Sequence, residues 1–245
     1  PVRVSLNDDY TPNFNRIESA ISAKTKMIVI NNPHNPTGRI WTEQDFEALE
    51  TILEKHPQIL ILGDEVYEYI TFSQPHISFN TRPKLVERTI IASSFGKSLH
   101  VTGWKVGYLI APENLMFEMK KVHQFLVFSV NSFSQHAISE YLDVVDFSEV
   151  SKMYQRKRDL FQNLIKDSRF ELMPCDGTYF QVVNYNQISS KNDVDFAKEL
   201  IVNHGVASIP ISVFYNDATD RHMLRFCFAK TDETLMVAAE KLNKI

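Results

Sequence analysis

Lys97 lies in the stretch SSFGKSLHVTGWK, from Ser93 to Lys105, and two roles are open to it. It is one of 26 lysines and arginines, so it could be an ordinary surface cation. Alternatively, its amine is held inside a site as a nucleophile, which requires surroundings that strip its proton: a desolvated pocket or a neighbouring cation. Other residues of chemical interest stand in comparable settings. Asp64 follows the apolar run 59–62 in GDEVY, and Asn35 lies in NNPHNPTG after the run 27–30. Arg225 sits in HMLRFCFAK with apolar neighbours on both faces. An unpaired guanidinium buried there is too costly, so it must find an anion or a salt-bridge partner.

The elements that position these groups follow from the apolar pattern. Residues 27–30, 59–62 and 89–92 are short, β-branched and show little alternation, as expected of strands buried on both faces. Residues 42–56 open with Thr42 and Asp45 in capping-box spacing and place Phe46, Leu49, Ile52 and Leu53 on one helical face. This alternation predicts a parallel α/β sheet. Ligands bind beyond the carboxyl ends of strands in such sheets. Each of the three strands runs into a polar cluster there: NNPHNPTG, GDEVY and SSFGK. Five of the seven glycines (Gly38, Gly63, Gly96, Gly103 and Gly107) lie in or beside these clusters, where they mark turns or close backbone approach. The opening PVRVSL reads as a further strand.

A long helical stretch from about 115 to 142, interrupted near 129–132, precedes a helix over 147–165. That helix has Val150, Met153, Tyr154, Phe161, Leu164 and Ile165 at core spacing. Strands near 170–173 and 178–184, a helix near 193–204, strands near 206–209 and 222–228, and a last helix from Thr231 complete the pattern. The reading is a large domain over 1–146 and a smaller α+β domain over 147–245.

The composition, 44% hydrophobic and 23% charged, is that of an ordinary globular protein. A net charge of −4 without a basic run gives no sign of nucleic acid or an anionic membrane surface. No apolar run approaches the roughly 20 residues needed to span a bilayer. Cys175 and Cys227 are far apart, form no metal-ligand or redox pair, and read as small buried residues in a reduced, cytoplasmic compartment. No metal is indicated.

NNPHNPTG, DEVY, SFGK and TGWKVGY, in this order and spacing from Asn31 to Tyr108, resemble the fold-type I, pyridoxal-phosphate-dependent aminotransferases of classes I and II. The resemblance continues through GVASIPISVFY and LRFCFAK. Within the family, SFGK…TGWKVGY and HQFLVFSVN look most like the methionine and kynurenine/glutamine aminotransferase branch. The fold implied is α/β: a three-layer large domain of the pyridoxal-phosphate transferase type, with a mostly parallel sheet lacking its N-terminal part, plus a smaller α+β C-terminal domain. The chain is then expected to be the C-terminal two-thirds of such an enzyme. The glycine loop that donates amides to the phosphate, the ring-stacking aromatic and the N-terminal arm would lie outside it.

The resemblance also implies roles. Lys97 would form the Schiff base with the cofactor aldehyde and move the substrate's Cα proton. Asp64 would pair with the pyridine nitrogen, the other reading being a helix cap or salt bridge; Glu65 beside it is a structural contact. Tyr67 and Asn35 would donate to the cofactor's phenolic oxygen, where otherwise they are core and turn residues. The Asn35–Pro36 bond is a candidate cis peptide, and His34 has no assigned role. Ser94 and Lys105 would hold the phosphate. Many relatives carry arginine where Lys105 stands, and the alternative for Lys105 is a surface lysine. Arg225 would grip the substrate α-carboxylate bidentately, with Asn35 also facing substrate. Phe125 and Phe128 either fill a helix core or lie near the pocket, partly across a dimer interface, favouring apolar or aromatic side chains. No second carboxylate-binding arginine is evident, which disfavours an aspartate-specific enzyme.

The implied activity is ping-pong transfer of an amino group from a neutral amino acid, methionine-like or aromatic, to a 2-oxo acid in a homodimer. Two alternatives stand beside it: a cysteine-conjugate β-lyase using the same Lys97 and Asp64, and an incomplete, inactive chain that binds pyridoxal phosphate.

Overall fold

A computed structural model describes residues 1–245, which divide into two compact units. The first comprises Pro1–Pro33, Ile40–Tyr69 and Pro75–Ser148; the second comprises His34–Arg39, Ile70–Gln74 and Glu149–Ile245.

In the first unit, residues 1–6 carry no strand, contrary to the expectation for PVRVSL, and Val2 is 77% exposed. Strand propensity acts only where a ladder partner exists, and the sheet does not extend to this segment. Helix α1 (Phe14–Ala20) follows, with Asn13 capping its first turn through the Arg16 N–H. Strand β1 (Met27–Asn31), helix α2 (Glu43–Glu54), strand β2 (Leu60–Asp64) and strand β3 (Thr89–Ser94) build the centre. The four-residue helix α3 (Phe95–Ser98), strand β4 (Gly107–Ile110) and helices α4 (Glu113–Leu126) and α5 (Ser132–Leu142) complete it. The sheet runs β1-β2-β3-β4; β1, β2 and β3 are parallel and β4 returns antiparallel to β3. Register sets Asn31 opposite Asp64 and Asp64 opposite Ala92, so the polar strand ends lie level with one another.

The capping box at α2 forms as expected: Thr42 Oγ1 accepts from Asp45 N–H, and the Asp45 carboxylate accepts from Thr42 N–H at 2.8 Å. Thr42→Ala is therefore expected to lower stability by about 1 kcal/mol, measurable as a lower thermal midpoint. Behind α2 lies a core of Trp41, Phe46, Leu49, Leu53, Ile59, Ile61 and Phe79. β1 departs from the expectation of burial on both faces. Ile28 and Ile30 pack on this core, whereas Met27 and Val29 are 38% and 66% exposed. Successive side chains alternate faces, so helical cover on one face leaves the other open. α4 has no fully buried residue, and Phe125 and Phe128 are 86% and 83% exposed, so neither fills a helix core within this chain. The neighbouring core cluster of Leu99, Val106 and Ile138 is supplied by the segments around α3, β4 and α5.

The second unit takes most of helix α6 (Phe147–Ile165), which buries Val150, Tyr154, Phe161 and Ile165. It continues with β5 (Glu171–Leu172), β6 (Phe180–Asn184), α7 (Asp193–His204), β7 (Ile209–Pro210), β8 (Met223–Cys227) and α8 (Asp232–Leu242). Its sheet is antiparallel throughout, in the order β5-β6-β8-β7. α7 stops at Gly205, whose φ of 63° is the left-handed conformation glycine tolerates best. The strand expected over 206–209 shrinks to Ile209–Pro210, because Pro210 has no N–H to continue a ladder and a 3₁₀ turn begins at Ile211. Segment 34–39 joins this unit through Gly38 O, which accepts from Asp176 N–H and Gly177 N–H, and through the Arg39–Asp176 ion pair at 2.9 Å. The Asn32–Pro33 and Asn35–Pro36 bonds are both cis.

Candidate active site

In the first unit, β2 delivers Asp64 as its last residue, half-buried. Burial raises its carboxyl above the ordinary value, the Val66 N–H and the Lys97 charge draw it back down, and adjacent Glu65 pushes it up. Asp64 therefore feels the Lys97 charge although the two residues are distant in sequence. Tyr67, in the turn after β2, is 3% exposed, and Lys97 Nζ stands 5.8 Å from its ring centroid. The structure thus brings Asp64, Tyr67 and Lys97 together.

Ser94 ends β3 and begins α3, its Oγ accepting from Gly96 N–H at 3.1 Å. A side chain at Gly96 would meet Thr102 Cα at 3.1 Å, so the turn carrying Lys97 packs against the segment leading to Lys105. Lys105 follows a 3₁₀ turn, Thr102–Trp104, in left-handed backbone with φ 58°. Lys105 is exposed and Trp104 is 44% exposed, so this end of the cluster opens to solvent. Phe125, in α4, and Phe128, just beyond it, stand on the surface described above.

Glu65, 1% exposed, accepts from Phe79 N–H at 2.9 Å and lies 3.0 Å from His76 Nε2. It is a structural contact, as expected, holding the segment after β2. The next carboxylate, Glu68, was not singled out from the sequence. Its Oε1 accepts from Ser93 Oγ at 2.5 Å and from Tyr108 Oη at 2.6 Å. Only the antiparallel β3–β4 pairing, which sets Ser93 opposite Tyr108, makes that contact legible.

In the second unit, β8 presents Arg225 between Val182 of β6 and Ile209 of β7. Its chain neighbours Leu224 and Phe226 are 0% and 3% exposed, and Arg225 itself is half-buried. The guanidinium carbon lies 3.8 Å from the Phe180 ring centroid and 5.3 Å from that of Phe214. Nη1 donates to Asn35 Oδ1 at 2.5 Å. Two aromatic faces and a neutral amide pack against the cation and orient its plane. Next to Asn35, His34 Nδ1 lies 2.7 Å from Thr37 Oγ1, and burial lowers the imidazole pKa to about 4, leaving it neutral near pH 7.

Residues 1–242 match the family described as aminotransferase class I and II. The chain is 43% identical over 228 residues to the methionine aminotransferase of Escherichia coli strain K12, covering 92% of this chain and 59% of the relative. It is 34% identical over 258 residues to the kynurenine–oxoglutarate transaminase of Dictyostelium discoideum, covering 95% and 59%. The solved structure of YbdL from Escherichia coli, which identified a methionine aminotransferase function, superposes with a TM-score of 0.93 at 41% identity, over 96% of this chain and 62% of that one. A Thermus thermophilus aspartate aminotransferase double mutant superposes with a TM-score of 0.85 at 26% identity, over 97% and 61%. The chain therefore spans about three-fifths of the length of these relatives. The fold is the α/β fold of type I aminotransferases, and enzymes of this class depend on pyridoxal phosphate. By profile, identity and superposition, the chain belongs to the class I and II aminotransferase family.

Proposed function

We propose that the whole protein is an aminotransferase that moves the amino group of a neutral amino acid, methionine-like or aromatic, to a 2-oxo acid. The observation that carries this is the grouping of Lys97 with Tyr67 and Asp64: an amine 5.8 Å from a phenol ring and close enough to a half-buried carboxylate to lower its pKa. The identity to a methionine aminotransferase supports the donor class.

The donor set fits pyridoxal phosphate. A half-buried carboxylate suits a pyridinium nitrogen, a phenol and an amide suit the phenolic oxygen, and a hydroxyl with a second amine suits a phosphate. When bound, the cofactor supplies an electron sink for charge developing at the substrate Cα. Asp64 would hold the proton on the pyridine nitrogen; raised by burial yet drawn down by Lys97, its carboxyl must stay ionised to do so. Lys97 would act as nucleophile and then carry the proton away from the substrate Cα. Tyr67 and Asn35 would donate to the phenolic oxygen, and Ser94 and Lys105 would bind the phosphate. Arg225 would bind the substrate α-carboxylate through its planar fork, which Phe180, Phe214 and Asn35 orient.

The exposed side chains Phe117, Phe125, Leu126, Phe128 and Phe133 support assembly as a homodimer, because exposed apolar surface of this extent marks an interaction face. Phe125 and Phe128 are assigned to favour apolar substrate side chains. Both cysteines are free thiols, which supports a cytoplasmic location. No helix is long and apolar enough to cross a membrane.

The test is donor preference in the full-length, cofactor-loaded protein with a 2-oxo acid as acceptor. Methionine and phenylalanine should give kcat/KM at least about tenfold above aspartate, since a second carboxylate left unpaired in an apolar pocket is costly. Equal or faster turnover of aspartate would overturn the donor class, and no transfer from any donor would overturn the activity.

A further inference from the structure

Glu68 follows directly on Tyr67 and has no part in the roles above. Two hydroxyls converge on one of its oxygens, Ser93 Oγ at 2.5 Å and Tyr108 Oη at 2.6 Å. Short O–H···O⁻ bonds of this kind are among the stronger hydrogen bonds in proteins. Ser93 and Tyr108 face each other across β3 and β4. Those strands approach so closely here that a Cβ on Gly107 would stand 2.6 Å from Ser93 O. A single carboxylate oxygen therefore ties the turn after β2 to both strands. Ser94 comes next on β3, and Lys97 follows within α3.

The turn itself is tight, with Glu68 N–H donating to Glu65 O at 2.9 Å. Glu65 is fixed by Phe79 N–H and His76 on one side, and Glu68 by the two hydroxyls on the other. Tyr67 lies between these anchors, so its backbone has little freedom to shift relative to Lys97. Burial and the bond to Glu68 both push the Tyr108 phenol pKa up, so Tyr108 remains a proton donor at any ordinary working pH.

We propose that Glu68 is a positioning residue: by accepting from Ser93 and Tyr108 it sets where the Tyr67 hydroxyl stands relative to Lys97. The inference rests on the reading of Tyr67 and Lys97 as cofactor-binding residues.

The experiment follows the visible absorption of the full-length, pyridoxal-phosphate-loaded protein against pH. It compares wild type with Tyr67→Phe, Glu68→Leu, their double variant and Glu68→Gln, and records thermal midpoints of the cofactor-free proteins in parallel. Glu68→Leu should move the spectral pH midpoint in the same direction as Tyr67→Phe, by roughly half to one pH unit, the size of one hydrogen bond. The double variant should move it no further than Tyr67→Phe, because the two residues act through one group. Glu68→Gln keeps an acceptor oxygen and should restore most of the wild-type midpoint. Should Glu68→Leu not fold, Tyr108→Phe, which leaves the Ser93 bond in place, is expected to give a smaller shift of the same sign. A spectral midpoint that Glu68→Leu leaves unchanged, with only the thermal midpoint falling, would make the contact merely structural and overturn the proposal. Additive shifts in the double variant would overturn it too. In both cases the roles of Tyr67 and Lys97 stand; a Tyr67→Phe variant with no spectral effect removes the Tyr67 role and the proposal together.

Discussion

Replacing Lys97 with alanine is expected to abolish the visible absorption that the full-length protein develops with pyridoxal phosphate, and to slow transamination by about ten-thousand-fold or more. The size follows from the two tasks proposed for one atom, nucleophile and proton carrier, for which no neighbour would substitute. Lys97 sits in a helix of only four residues, held at its start by Ser94 and packed through Gly96 against Thr102. Its Nζ faces Tyr67, and its charge is felt by Asp64. Lys97→Arg is the discriminating companion. Arginine keeps the charge beside Asp64 but does not lose its proton near neutral pH, so it should be as inactive as alanine. An active arginine variant would mean that only the charge at position 97 matters. A surface lysine, in contrast, changes stability by less than about 0.5 kcal/mol when replaced and leaves the spectrum alone. Retention of the absorption band by Lys97→Ala would sink the assignment.

The second large effect is at Arg225. Arg225→Lys should lower kcat/KM for the amino donor by roughly a hundred- to a thousandfold, mostly through KM, because a conservative charge is not a conservative fork. The guanidinium plane is fixed by Phe180 at 3.8 Å, by Phe214 at 5.3 Å and by Asn35 Oδ1 at 2.5 Å. Those contacts orient a flat group; an ammonium gains little from them and cannot give two parallel bonds to a carboxylate. The absorption of the bound cofactor should stay as in wild type. Loss of that absorption with unchanged donor KM would show that Arg225 serves the structure of its unit and not the substrate.

Much of this was legible from local pattern. The α2 capping box at Thr42 and Asp45, the α6 span and the polar ends of β1, β2 and β3 all follow from periodicity and backbone chemistry within a few residues. The motifs carried the family, and an isolated arginine among apolar neighbours already demanded a partner. Where the sequence misled, the cause was missing context. PVRVSL has the composition of a strand but no ladder to join. Residues 27–30 have the pattern of a strand buried on both faces, yet Met27 and Val29 are exposed because only one face of β1 is covered. Propensity and amphipathicity say that a face is apolar, not what lies against it.

The chemical groups and the elements that carry them are written in local sequence, because helix caps, strand length and turn residues are short-range properties. Which of these groups meet is settled by the tertiary fold. Glu68 finds Tyr108 across 40 residues, and Arg225 finds Asn35 across 190. Such contacts depend on sheet register and on which strand returns antiparallel, and no local periodicity encodes either. Lys97 was conspicuous from its motif; the carboxylate that steadies the residue opposite it became visible only once β4 was paired with β3.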